Sequence, residues 1–158
     1  MITLEYIGVD EWERWRDMRL HALRESPKAF CSSLGDWEHQ SERAWQDKLT
    51  DLSANIIAVL DGKDVGMVSA ALPDNEVELS GMWVAPFARG RGVGDELVRA
   101  VVEWSLSQLR SRLTLRVLIG NDQAATLYER HGFEYVDSPS DGGIKSDRLM
   151  VRTSSHAQ

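Results

Sequence analysis

The stretch VELSGMWVAPFARGRGVGDELVRAVVEWSLSQL, residues 77–109, decides the fold. Val77 to Val84 reads as a strand, stopped by Pro86, which has no N–H to give to a ladder. From Gly92 to Leu109, the residues Leu97, Val98, Val101, Ser105 and Leu109 recur at i, i+3 and i+4 spacing, the pattern of an amphipathic helix. Between them, Arg89-Gly90-Arg91-Gly92-Val93-Gly94 places glycine at alternate positions. Glycine lets the backbone take positive φ and approach a ligand closely. The first N–H groups of the helix have no internal partner and point outward with the positive end of its dipole. Strand, glycine loop and helix in that order suit either an anion site, with a pyrophosphate as its natural guest, or a loop that merely turns into a helix with solvated charges. The dinucleotide pattern G-x-G-x-x-G is not met, because Asp95 stands where the third glycine belongs, and the loop lacks the Lys-Ser/Thr pair of a nucleotide P-loop.

Local charge agrees with a phosphate-bearing ligand. From 89 to 116 there are six arginines (89, 91, 99, 110, 112 and 116) against Asp95, Glu96 and Glu103, a local balance of +3. The whole chain of 158 residues has a net charge of −7, so the basic stretch stands out from an acidic remainder. That acidity disfavours nucleic acid as a partner and leans towards small cationic ones. With 42% apolar and 27% charged residues, the chain has enough apolar matter for one domain and its core and too much for disorder. Apolar runs such as Ile56 to Leu60 fall far short of the roughly 20 residues of a membrane span, and the N-terminus has no leader pattern, so a soluble cytoplasmic protein is expected. The single cysteine, Cys31, permits neither an internal disulfide nor a cysteine-based zinc cluster, and suits a small loop or core residue. His21, His39, His131 and His156 have no metal-ligand spacing, so no metal is expected.

Upstream, ITLEYI reads as a strand, and Trp12, Trp15, Met18, Ala22 and Leu23 mark a helix that ends at Pro27. A second amphipathic stretch follows Asp36, with Trp37, Trp45 and Leu49 on one face. ANIIAVL and DVGMVSAAL, joined by Asp61-Gly62-Lys63, form an antiparallel hairpin, and Pro73-Asp74-Asn75 turns into the strand at Val77. Downstream come the strand LTLRVLI, a helix QAATLYERH capped by Asn121 or Asp122 and stopped by Gly132, a strand FEYVD and a last strand in IKSDRLMVR. The order βααβββαβαβ(β) indicates one mixed α/β sheet with helices on both faces. A single domain over 1–153 is expected, with 154–158 as a frayed tail.

Two motifs in order resemble the GCN5-related N-acetyltransferases. Arg89, Gly92 and Gly94 match the family's Q/R-x-x-G-x-G/A, and Asn121, Ala124, Leu127, Tyr128, Gly132 and Phe133 match its asparagine-opened helix ending in Gly-Phe. The close resemblance runs from Val77 to Tyr135. It implies a mixed, mostly antiparallel sheet of six to seven strands with about four flanking helices, splayed at the strand that meets acetyl-CoA. It implies acetyl-CoA as donor, held by Arg89, Gly90, Arg91, Gly92, Val93, Gly94 and Asn121. Backbone groups of Met82, Trp83 and Val84 would lie along the pantetheine arm. In the family a tyrosine at the place of Tyr128 protonates the departing thiolate; a phenol, with reference pKa near 10, keeps its proton for that task. Glu78 matches the place of a catalytic glutamate in histone-type members, and period-two alternation would put it on one face with Ser80, Met82 and Val84. Glu76 or a water chain are the other candidates for the base.

The resemblance thus implies acetyl transfer to a primary amine of a small molecule. A protein N-terminal or lysine acetyltransferase and a non-catalytic acyl-CoA sensor are the competing readings. A homodimer is common in such a family. The tryptophans of the first two helices read as packing anchors, of which one or two can line an acceptor pocket or stack on a cation.

Overall fold

Asp61 and Gly62 both take positive φ, 53° and 78°, as a type I′ turn requires, and this turn joins strands β2 (Ala54–Leu60) and β3 (Lys63–Ala71). The computed structural model describes residues 1–26, 34–136 and 147–153. Around the hairpin lie β1 (Ile2–Tyr6), α1 (Trp12–Glu25), α2 (Leu34–Trp37), α3 (Glu42–Thr50) and β4 (Val77–Val84). After them come α4 (Val93–Ser107), β5 (Arg112–Leu118), α5 (Asp122–Arg130), β6 (Glu134–Tyr135) and β7 (Asp147–Thr153). The seven strands form one sheet in the order β1-β2-β3-β4-β5-β7-β6, in which β4 and β5 run parallel and the other pairs antiparallel. No helix among the described residues is long and apolar enough to cross a membrane.

Alternating side chains feed two cores. On one face Ile56, Val68, Leu79 and Leu113 pack with Leu97 and Val101 of α4; on the other Ile57, Met67 and Trp83 pack with Trp15 and Met18 of α1 and Trp45 of α3. Leu97 and Val101 are fully buried, each stabilising by roughly 1.5–3 kcal/mol. Gly66 allows β3 to lie tight on α4: a Cβ there would come within 3.2 Å of both Leu97 and Val93 side-chain carbons.

Strand β4 departs from even alternation. Ser69 pairs with Ser80 and Met67 with Trp83, so Val68 opposes two residues, Gly81 and Met82, and Gly81 takes φ 63°. This bulge turns the strand over. Val77 and Leu79 lie in the α4 core, and so do Met82 and Val84, while Trp83 enters the α1 core. The expected common face for Glu78, Ser80, Met82 and Val84 is therefore wrong: the extra residue puts Glu78 and Ser80 on the α1 side and Met82 and Val84 on the α4 side.

Three other expectations change. The second amphipathic stretch is two helices, because Ser41 caps α3 by accepting from the N–H of Ala44 at 3.1 Å; Trp37 on α2 still meets Trp45, ring centroids 5.2 Å apart. Of FEYVD, Asp137 lies outside the described residues, and among the others Glu134–Tyr135 is strand. Leu109 is not on the α4 stripe; it is 81% exposed and holds φ 59° just beyond the helix. The N–H of Leu109 donates to Leu106 and that of Arg110 to Ser105, at 2.9 and 3.1 Å, which is a Schellman ending with leucine where glycine is usual. Leu109→Gly is expected to raise stability by about 0.5–1 kcal/mol, since the left-handed strain removed exceeds glycine's added chain entropy. Urea unfolding measures this, and a destabilised variant would contradict it. Pro27, Cys31 and the tail 154–158 lie outside the described residues.

Candidate active site

The glycine loop has the geometry of a cradle. Gly90 and Gly92 take φ 78° and 86°, and a Cβ on either would meet nothing within 4 Å. The first bond into α4 runs from the N–H of Glu96 to the carbonyl of Gly92 at 3.1 Å; among the described residues no backbone carbonyl accepts from the N–H groups of Gly92, Val93, Gly94 or Asp95. These donors and the helix dipole converge on the open side of the loop. Val93 buries its side chain in the core, so only its backbone is offered. Gly94 serves packing: a Cβ there would sit 3.1 Å from Leu127, so the missing side chain lets α5 close on α4.

The arginines of this region are mostly neutralised. Arg89 donates to Glu25 at 2.8 Å and to the Val84 carbonyl at 2.9 Å, tying the loop to α1 and to the end of β4. Arg99 pairs with Glu96, Arg112 with Glu76 and Arg116 with Asp147. Arg91 is exposed and has no ion pair among the described residues, which makes it the arginine placed to meet an anion at the loop. A count along the chain from 89 to 116 overstated the field because Glu25, Glu76 and Asp147 lie outside that stretch.

Asp95, in the first turn of α4, pairs with Arg130 at 2.9 Å and His131 at 2.8 Å. Burial pushes its pKa up, but the hydrogen bonds from His131 and Arg130 outweigh this and hold the carboxyl below its usual value. A depressed carboxylate contributes stability above its ordinary range and loses it as pH falls through the depressed value. Asp95→Asn is expected to lower stability at neutral pH and to flatten its acid dependence. Thermal melts across pH check this; an unchanged acid limb would contradict it.

Beside the loop the sheet opens. β4 and β5 pair only at Val77–Leu113 and Glu78–Thr114, whereas β5 stays paired with β7 along its whole length. The edge of β4 from Leu79 to Val84 therefore faces a wedge. Met82 and Val84 pack into the α4 core, and the Trp83 indole donates to Glu25 at 3.1 Å, so these residues meet the wedge through their backbone. Tyr128 is buried at 6% exposure in the same core as Met82 and Val117, its ring 5.8 Å from Phe133. Burial pushes its phenol well above the usual range, so it stays protonated at neutral pH. Asn121, and not Asp122, caps α5, its side-chain oxygen accepting from Ala124 at 3.4 Å. Glu78 is half-buried on the α1 side of β4 and forms the last β4–β5 pair, with Thr114, while Glu76 is held by Arg112 at 2.8 Å.

A cavity of about 240 Å³ lies at the β4 bulge, on the sheet face covered by α1 and α3. Trp15, Arg19, Trp37, Lys48, Ser80 and Gly81 are among its walls. A larger groove of about 720 Å³ runs past Arg16, His21 and Glu25, of which Glu25 accepts from the Trp83 indole of β4 and from Arg89 of the loop.

A protein-family model described as the acetyltransferase (GNAT) family matches residues 12–133. The chain belongs to the GNAT family. It is an N-acetyltransferase, and its acyl donor is acetyl-CoA. The sequence is 28% identical over 140 residues to the L-amino acid N-acetyltransferase AaaT of Escherichia coli (strain K12), covering 84% of this chain and 83% of that one. It is 39% identical over 82 residues to the N-acetylaspartate synthetase of Xenopus tropicalis, covering 51% of this chain and 30% of that one. The fold is similar to that of the paia N-acetyltransferase of Thermoplasma acidophilum in complex with coenzyme A, with TM-score 0.78, 17% identity and coverage of 97% and 99%. It is also similar to yncA of Salmonella typhimurium with its cofactor acetyl-CoA, at TM-score 0.77, 16% identity and coverage of 100% and 97%.

This GNAT chain fits its donor on its own geometry: open glycines and outward N–H groups suit a pyrophosphate, and an unpaired β4 edge suits an extended arm. Sequence reasoning missed Gly81, Arg19 and Lys48. An isolated glycine inside a strand pattern is the signal for a bulge. Arg19 and Lys48 carry no such signal, because a cation within an amphipathic helix reads as solvated.

Proposed function

We propose that the chain transfers the acetyl group of acetyl-CoA directly to the nitrogen of a small primary amine. The observation that carries this reading is the cavity at the β4 bulge, about 240 Å³, sized for a small molecule and adjoining the wedge. The names of the curated relatives, an L-amino acid N-acetyltransferase and an N-acetylaspartate synthetase, support it.

Bound acetyl-CoA supplies a thioester carbonyl open to a nucleophile. The N–H groups of Gly92, Val93 and Gly94, with Arg91, hold the pyrophosphate, and the backbone of Met82, Trp83 and Val84 holds the arm, with Asn121 on its far side. A β4 N–H donates to the carbonyl oxygen as negative charge develops there. Glu78, directly or through water, takes the proton an ammonium must lose before its nitrogen attacks. As the carbon–sulfur bond breaks, Tyr128 would give its phenol proton to sulfur, and the proton that the attacking nitrogen sheds in becoming an amide would restore the phenol, directly or through water.

Thiol release against a panel of polyamines, amino acids and aminoglycosides tests the reading, with acetylation expected for at least one. An inert panel, together with new acetyl groups on proteins of a cell extract, would replace it with protein acetylation. Tight acetyl-CoA binding with no transfer to any amine or protein would leave a sensor.

A further inference from the structure

The acidity of the chain as a whole does not extend to the cavity. Arg19 and Lys48 line it, and Asp51 is the one carboxylate among its lining residues. The Arg19 guanidinium carbon lies 4.7 Å from the Trp37 ring centroid and Lys48 Nζ lies 4.4 Å from it, so one indole gathers two cations from different helices. Two cations on one cavity wall favour an anionic group over a cationic one there. Arg19 also touches the bulge: a Cβ on Gly81 would be 3.2 Å from its Nη1. Burial pushes its pKa down to about 10, which leaves it charged at neutral pH.

The architecture holds Lys48 in place. The buried Ser69 hydroxyl donates to Asn55 Oδ1 at 2.8 Å, and the Asn55 amide donates to the Leu49 carbonyl at 3.3 Å, fixing the last turn of α3 against the sheet. The cation pair is thus built into the packing of α1, α3 and β3, and it stands beside the strand proposed above to hold the thioester.

We propose that this cavity is a carboxylate site, and that Arg19 and Lys48 select acceptors in which the amine and a carboxylate belong to one molecule. The proposal rests on the acetyl-transfer reading for its acceptor role. A planar guanidinium and an ammonium suit a carboxylate better than the ammonium groups of a polyamine, which they would repel. Trp15, Leu52 and Met67 supply apolar wall for the rest of the molecule.

The test pairs each amino acid with its decarboxylated amine, phenylalanine with phenethylamine and leucine with isopentylamine, and includes aspartate. Two readouts are used: acetyl transfer, as kcat/KM, and binding to the protein without donor, followed by tryptophan fluorescence from Trp15 and Trp37. The expected preference for the amino acid over its amine is roughly 100-fold, the effect of charge-assisted hydrogen bonds. Arg19→Met and Lys48→Gln are each expected to collapse that ratio towards one, and Arg19→Lys to restore part of it. Because Arg19 is half-buried, melting curves accompany each variant, and the more peripheral Lys48→Gln tests the site if Arg19→Met does not fold. Equal or better use of the decarboxylated amines by the unaltered protein overturns the carboxylate site while leaving acetyl transfer to amines intact. Amino-acid binding that depends on Arg19, with no amine acetylated, upholds the site and overturns the transfer reading instead.

Discussion

Gly92→Glu is expected to weaken acetyl-CoA binding by at least about 100-fold while the protein still folds. Two effects act at this position. Gly92 holds φ 86°, and a residue with a Cβ pays about 1–2 kcal/mol to stay there. The larger effect is a carboxylate placed at the mouth of the anion cradle; like charges about 4 Å apart at the protein surface repel by roughly 4 kcal/mol, and each 1.4 kcal/mol is about tenfold in affinity. Folding survives because the space around Gly92 is open and an acid is tolerated at a helix N-terminus. Gly92→Ala separates the two effects, since it carries the strain without the charge. Calorimetry with acetyl-CoA and a circular dichroism spectrum measure the outcome. Undiminished affinity in Gly92→Glu would remove the loop as the pyrophosphate site.

Tyr128→Phe is expected to lower kcat by roughly 10- to 1,000-fold and leave acetyl-CoA affinity within a small factor. The ring stays, so its packing on Phe133 and within the α4 core stays. The hydroxyl has no hydrogen-bond partner among the described residues, so its loss breaks no internal bond and the melting temperature is expected to hold. Burial keeps the phenol protonated through the neutral range, so Tyr128 is not expected to produce an alkaline limb near neutrality. A variant with normal turnover would hand the proton transfer to water or to coenzyme A itself.

The loop was legible because everything that shapes it is local: alternate glycines, a strand stopped by Pro86 and an apolar helical stripe. The Asp61-Gly62 hairpin was legible for the same reason. The bulge at Gly81 was not, because a strand's facing depends on its register with a neighbour, and that register shifts between Met67 and Ser69 across the sheet. The end of α4 was misread at Leu109, where a leucine occupies a conformation that favours glycine. Arg89, Arg112 and Arg116 looked like a basic field only until Glu25, Glu76 and Asp147 were brought to them from other elements. The same distance effect hid Arg19 and Lys48, which meet only when α1 and α3 fold onto Trp37.

The most direct test of acetyl transfer to a small amine is to follow an isotopically labelled acetyl group from acetyl-CoA in a mixture of the protein and the amine panel. The expected result is label on the nitrogen of one small amine, with one coenzyme A released for each acetyl transferred and product formed more slowly by Tyr128→Phe, in proportion to its lower kcat. Label found only in free acetate or on protein lysines, with every small amine unmodified, would contradict it.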